Sequence, residues 1–170
     1  MEQTAVEQTA VGQTAVEQTA VEQTAADQTA EEQTAEEQGR SVEGTAILLI
    51  DDNAVQAATR QAILKRAGYY VFAVLDPVRA LAQFQAGEFP AEIKLVITDH
   101  LMPNMMGTEV VRELRKSHPH LPVLVISGLD EAEDEYLGLD VLFRMKPLLP
   151  DHLLASVHRL TTAPPIRKQA

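Results

Sequence analysis

The 170-residue chain has an ordinary apolar content, few aromatics, no cysteine and a formal net charge of −11. That length suits one domain with a real core, and the lack of cysteine excludes disulfides, thiol nucleophiles and thiolate metal sites. No apolar run is long enough to span a bilayer, the N-terminus lacks the basic-then-apolar pattern of a signal peptide, and no basic patch offers itself to phosphates, so a soluble cytoplasmic protein with no membrane or DNA binding is expected.

The charge is unevenly spread. Residues 1–40 carry eight Glu, one Asp and one Arg, a net of −8, which leaves −3 for residues 41–170. Residues 2–36 are seven copies of a five-residue unit, Glu-Gln-Thr-Ala-Val, varied at its first and last positions. On a helix each unit advances about 500°, so successive Val residues step about 140° round the axis and form no stripe. On a strand, odd spacing sends them to alternate faces. The repeat builds no continuous apolar face, and a disordered or partly helical tail is expected over 1–40, followed by a linker at 41–45.

From residue 46 the texture changes. Ala46 to Ile50 is a short apolar run ending at Asp51, as a buried parallel strand would be. A helix is predicted over about 54–67, with Ile63, Leu64 and Ala67 inward, Arg60, Lys65 and Arg66 outward, and Gly68 ending it. Val71 to Val74 is a second strand. Asp76-Pro77 opens a helix, since Asp caps free N–H groups and Pro fits the first turn; Ala80, Leu81 and Phe84 supply its apolar face, and Gly87 ends it. A third strand runs from Lys94 to Thr98 and meets a loop at Asp99, with Pro103 and Gly107 punctuating the loop. A helix over about 108–116, a strand over 122–126, a short acidic helix over 130–137, a strand over 141–145 and a helix over 150–160 complete the pattern, with a polar tail at 161–170. Five alternations of strand and helix predict an α/β fold, a flavodoxin-like doubly wound parallel sheet of order 2-1-3-4-5.

In that order strands one and three are neighbours, and their carboxyl ends carry Asp51, Asp52 and Asp99. Three crowded carboxylates repel unless a cation compensates. An oxygen-only ligand set suits a hard cation, Mg²⁺ foremost. Strands four and five bring Ser127 and Lys146 to the other side of Asp99. Metal on one side, ammonium and hydroxyl on the other, would suit a phosphoryl group held on Asp99. Taken singly, the acidic pair, the lysine and the serine read equally well as a helix-start pair, a solvated side chain and a turn residue; Phe143 reads as plain core. His100 is expected to be neither relay nor ligand, because neighbouring residues at a strand end point in different directions.

Together these motifs are specific. The stretch 46–160 resembles the receiver domain of two-component response regulators, in Leu-Ile-Asp51-Asp52, in Thr-Asp99-His-Leu-Met-Pro-Asn-Met-Met-Gly, in Val-Ile-Ser127-Gly and in Met-Lys146-Pro. The resemblance implies that Asp99 is the phosphoacceptor, that Asp52 ligates Mg²⁺ directly and Asp51 through water, and that the Leu101 backbone carbonyl and Asp99 complete the protein's ligands. It implies that Lys146 pairs with the phosphoryl oxygens across a cis Lys146–Pro147 bond, that Ser127 is both phosphoryl-binding and a switch residue, and that Phe143 holds the place of the switch aromatic. Its implied donor is a sensor histidine kinase or histidine phosphotransfer protein, with a downstream protein partner that the sequence does not name.

The chain departs from the usual receiver at Leu101 and Leu129, two residues after Asp99 and Ser127, where the family tunes the lifetime of the phosphoryl group. Its segment from Ser127 to Lys146 is about one helical turn short. The expectation is a single-domain receiver that signals by protein contact. It is not an enzyme beyond its own Mg²⁺-dependent phosphoryl uptake and slow autodephosphorylation. A phosphorylation-independent adaptor, a detached hybrid-kinase receiver and a small Mg²⁺-dependent phosphohydrolase are the alternatives.

Overall fold

The structure, a computed structural model, describes residues 44–162. The repeat at 1–40, most of the expected linker and the last eight residues lie outside the described residues. In chain order the elements are β1 (Ala46–Ile50), α1 (Ala54–Arg66), β2 (Tyr70–Val74), α2 (Pro77–Ala86), β3 (Ile93–Asp99), α3 (Gly107–Ser117), β4 (Val123–Ser127), a 3-10 helix (Glu131–Tyr136), β5 (Leu142–Met145) and α4 (Pro150–Thr162). The five strands form one sheet in the order β2-β1-β3-β4-β5, every neighbouring pair parallel. The flavodoxin-like doubly wound architecture is therefore as the sequence predicts.

Alternation along the strands divides the core in two, since successive residues face opposite sides of a sheet. Leu48, Ile50, Val96, Val125 and Phe143 pack with Ala80 and Leu81 of α2 and Val110, Val111 and Leu114 of α3. Ile47, Leu49, Leu95, Ile97, Leu124 and Ile126 pack on the other face with Leu64 of α1 and Leu153 and Val157 of α4. The central strands are buried on both faces, which is why β1 and β4 read as unbroken apolar runs. Their register fixes the functional edge. Ile50 is paired with Thr98, Asp99 with Ile126 and Ser127 with Met145, so the carboxyl ends of β1, β3, β4 and β5 finish side by side.

The caps follow from the sequence. Asn53 accepts from the N–H groups of Val55 and Gln56 to start α1, and Asp76 accepts from Val78 and Arg79 to start α2, with Pro77 in the first turn. Gly87 ends α2 at φ 66°, the left-handed region where a Cβ is costly.

Most element ends differ from expectation by a residue or so, and four differences have a physical reason. Ala67 is exposed, because it is the residue on which α1 ends rather than part of its inward face. β3 is longer at both ends, and Asp99 is its last residue rather than the first of the loop. α4 continues through Thr162, where the hydroxyls of Thr161 and Thr162 bond back to Val157 and His158 carbonyls. The short acidic segment is a 3-10 helix and not an α-helix. Six residues are too few to sustain an α-helix alone, and the tighter form still turns Ala132 and Tyr136 inward and four acidic residues to water.

Candidate functional site

β3 ends in the carboxylate Asp99 and β1 is followed directly by Asp51 and Asp52, and the sheet brings these strand ends side by side. Asp51 is almost wholly buried, Asp52 beside it is exposed, and Asp99 is buried. One oxygen from each of the three lies within 4.8 Å of the others, a set that could hold a metal ion. Lys146, just past β5, places Nζ 2.6 Å from Asp99 Oδ1. That oxygen has no well-directed hydrogen bond from the described residues, so the lysine contact is an ion pair and leaves acceptor capacity for an incoming group. The Lys146–Pro147 peptide is cis, as the family resemblance implies, and the Lys146 N–H donates to the Ser127 carbonyl at 2.7 Å.

Asp51 is held from two sides. Its Oδ1 accepts from the Asn53 N–H at 2.9 Å, and its Oδ2 pairs with the Arg60 guanidinium. Burial pushes its carboxyl above the ordinary carboxylate range; the Asn53 N–H and Arg60 pull it back, and the Asp99 charge adds to the rise. Arg60 comes from α1, where Gln56, one turn earlier, accepts from its other terminal nitrogen at 2.9 Å. The sequence reading places Arg60 on the outer face of that helix. In the fold its side chain is 12% exposed and its head lies in the crevice.

The remaining residues expected at the site are arranged as follows. Ser127 is buried at the end of β4 next to β3, but its hydroxyl is engaged with its own turn: it accepts from the Leu129 N–H at 2.9 Å and lies 3.1 Å from the Leu129 carbonyl. Leu101 and Leu129 flank the crevice from the loops after β3 and β4, both about half exposed. Phe143 is a core residue of β5, its ring 5.8 Å from that of Tyr136.

The sequence reading missed a buried pair behind Asp99. His100 is 1% exposed, and its Nδ1 lies 2.8 Å from the Tyr136 hydroxyl, with Glu135 3.8 Å from Nε2. Tyr136 belongs to the 3-10 helix and is itself buried. Gly107 makes room for this pair: a Cβ there would lie 2.5 Å from the Asp99 carbonyl oxygen and 2.7 Å from the Tyr136 hydroxyl. So Gly107 is required by close approach. The His100 side chain is thus engaged by the 3-10 helix. The only local signal for the pair is a tyrosine in an otherwise acidic segment.

Comparison with known proteins places the chain in context. The family model described as the response regulator receiver domain matches residues 47–158. The chain is 34% identical over 110 residues to the sensor kinase CckA of Brucella abortus and 32% identical over 114 residues to the alkaline phosphatase synthesis transcriptional regulatory protein PhoP of Bacillus subtilis. Those alignments cover 63% and 65% of this chain but only 11% and 46% of the relatives, so the chain spans less than half the length of either. Among solved structures, a response regulator receiver protein from Sinorhizobium medicae superposes with a TM-score of 0.65 at 30% identity, covering 72% of this chain and 98% of that one. No helix among the described residues is long and apolar enough to cross a membrane. Sheet order, the strand-end carboxylates with their lysine, and the match over residues 47–158 agree: the chain belongs to the receiver domain family of two-component response regulators.

Proposed function

We propose that this receiver accepts a phosphoryl group on Asp99 from a phosphohistidine of a sensor kinase or phosphotransfer protein and signals by protein contact. The observation that carries the reading is the pairing of buried Asp99 with Lys146 at 2.6 Å beside two further carboxylates. In the transfer an Asp99 carboxylate oxygen attacks phosphorus, the bond from phosphorus to the imidazole nitrogen breaks, and that nitrogen keeps the electron pair. The product is a mixed anhydride on Asp99. Lys146 is placed to hold a phosphoryl oxygen throughout, as an ammonium point charge. To donate to the phosphoryl group the Ser127 hydroxyl would have to leave the Leu129 carbonyl, while the bond it accepts from the Leu129 N–H can stay; in this reading Ser127 is the residue that responds to loading.

The cation that fits here is hard and oxygen-liganded. Asp52, Asp99 and the Leu101 carbonyl would hold it directly in this reading, and Asp51 would act through water. Mg²⁺ in that place would offset the negative charge that the carboxylates and the phosphoryl group bring together.

The test is uptake of label from a small acyl phosphate with Mg²⁺ present. Wild type should take up about one alkali-labile phosphoryl group per chain, and Asp99→Asn none. Uptake that persists in Asp99→Asn would sink the assignment. No uptake by wild type, from a small donor or from a phosphorylated kinase, would favour an adaptor that works without phosphorylation.

A further inference from the structure

We infer that Arg60 is a built-in counter-cation of the acidic crevice, which competes with the divalent metal and sets how much free Mg²⁺ this receiver needs. The inference rests on the metal reading above, but concerns a residue that reading does not use.

The crevice gathers three carboxylates, and the fold already supplies two cations to it. Lys146 pairs with Asp99 and Arg60 with Asp51. Arg60 is no ordinary surface arginine that happens to be near. It leaves α1 nine residues after Asp51, its side chain is 12% exposed, and Gln56 holds its second terminal nitrogen so that the first is aimed at Asp51 Oδ2. The other Asp51 oxygen is taken by the Asn53 N–H. Both oxygens of Asp51 therefore have a donor before any metal arrives.

A guanidinium and a divalent ion cannot share that corner without cost. Three carboxylates against two fixed cations leave a single negative charge to attract a doubly charged ion. A metal held near Asp51 must either tolerate Arg60 within several ångström or displace it and break its pair with Gln56. Even at the dielectric of water, a unit charge several ångström from a divalent ion changes binding by about tenfold. Arg60 thus neutralises Asp51 in the metal-free protein and weakens metal binding in the same stroke. A receiver built this way loads its metal only where free Mg²⁺ is high.

The experiment is direct cation binding to the full 170-residue chain. Mg²⁺ is titrated calorimetrically and Mn²⁺ is followed by electron paramagnetic resonance, neither of which depends on phosphoryl transfer. Wild type is compared with Arg60→Gln, which removes the charge but keeps a donor for Asp51, and with Arg60→Lys, which keeps the charge without the fork. Thermal melts check that each variant is folded. Arg60→Gln should bind both ions about tenfold more tightly, and Arg60→Lys should stay within about twofold of wild type. If Arg60→Gln fails to fold, the Arg60 Nε–H resonance of wild type supplies the second readout and should shift in step with Mg²⁺ occupancy. Equal or weaker binding by folded Arg60→Gln, or an Arg60 resonance indifferent to Mg²⁺, overturns the competitor role and leaves the metal site standing. No binding by any of the proteins at millimolar Mg²⁺ overturns both.

Discussion

The hydroxyl of Tyr136 links the 3-10 helix to the residue after Asp99, and its burial has a measurable consequence. Lack of solvent pushes its phenol above the usual tyrosine value of about 10, and the charges of Glu135 and Asp99 add to the rise. Above about pH 10 the unfolded chain loses this proton while the folded chain keeps it, so stability falls as pH rises there. Tyr136→Phe should cost about 1 kcal/mol at pH 8, the net worth of one neutral hydrogen bond. Urea melts of the two proteins should show that gap shrinking between pH 8 and pH 11; a constant gap would mean that the phenol is not what titrates. Leu101 and Leu129 matter for a different reason. Hydrolysis of an acyl phosphate needs a water held in line with phosphorus, and both half-exposed neighbours of the crevice are apolar. Each missing contact is worth about 1 kcal/mol, several-fold in rate. Phosphorylated wild type should therefore decay slowly with Mg²⁺ present, and Leu101→Asn and Leu129→Glu should each speed decay several-fold. Decay of wild type within seconds, or indifference to both substitutions, would show that something else sets the lifetime.

Long side chains join elements here in addition to their apolar faces. Arg115, near the end of α3, donates to the carbonyls of Leu139 and Asp140 at 2.8 Å, Leu121 at 2.8 Å and His118 at 3.1 Å. One guanidinium so ties the end of α3 to the segments that lead into β4 and β5, and burial lowers its basicity from the ordinary arginine value. Asp140, whose carbonyl it holds, sits at φ 52°, a conformation that needs such support. Arg115→Ala should cost about 2–3 kcal/mol, because several carbonyls lose a charged donor at once; Arg115→Lys should recover only part, since a lysine lacks the planar fork. Chemical denaturation would check both, and a loss within experimental error for Arg115→Ala would show that water replaces the arginine freely. These ties mark the boundary of what the sequence reveals. Strands, caps and the strand-end residues Asp51, Asp99, Ser127 and Lys146 are legible because burial on a sheet and the chemistry of Asp, Pro and Gly at element ends act locally. Arg115 to Leu139, His100 to Tyr136 and Arg60 to Asp51 span 24, 36 and 9 residues, and no periodicity encodes such pairs. The 3-10 form of residues 131–136 escaped for a similar reason: an acidic run tells that a segment faces water but not how tightly it winds.

At the scale of the molecule, the described residues 44–162 bring Asp51, Asp52, Asp99, Ser127 and Lys146 to one edge of the sheet. Among the described residues, both faces of the sheet are covered by α1 to α4 and the 3-10 helix, each face over an apolar cluster. The pentapeptide repeat is of another kind. Its five-residue period puts no two successive Val residues on one helical or strand face, so the sequence offers nothing that could be buried over its length. Its main physical property is charge, −8 of the chain's −11. Deleting residues 1–40 should therefore leave the melting temperature within about 2 °C of the full chain, a change well under 1 kcal/mol for a domain of this size. It should also leave the rate and extent of phosphoryl uptake on Asp99 unchanged at physiological salt, where exposed charges are screened within about 8 Å. What should change is colloidal behaviour: the shortened chain keeps a net charge of only −3 and should precipitate at lower concentration. Thermal melts, labelled-phosphate uptake and a solubility series on the two proteins test this together. A fall of many degrees in melting temperature, or a slower uptake at equal folded protein, would show that the repeat contributes to the receiver itself and not merely to its charge.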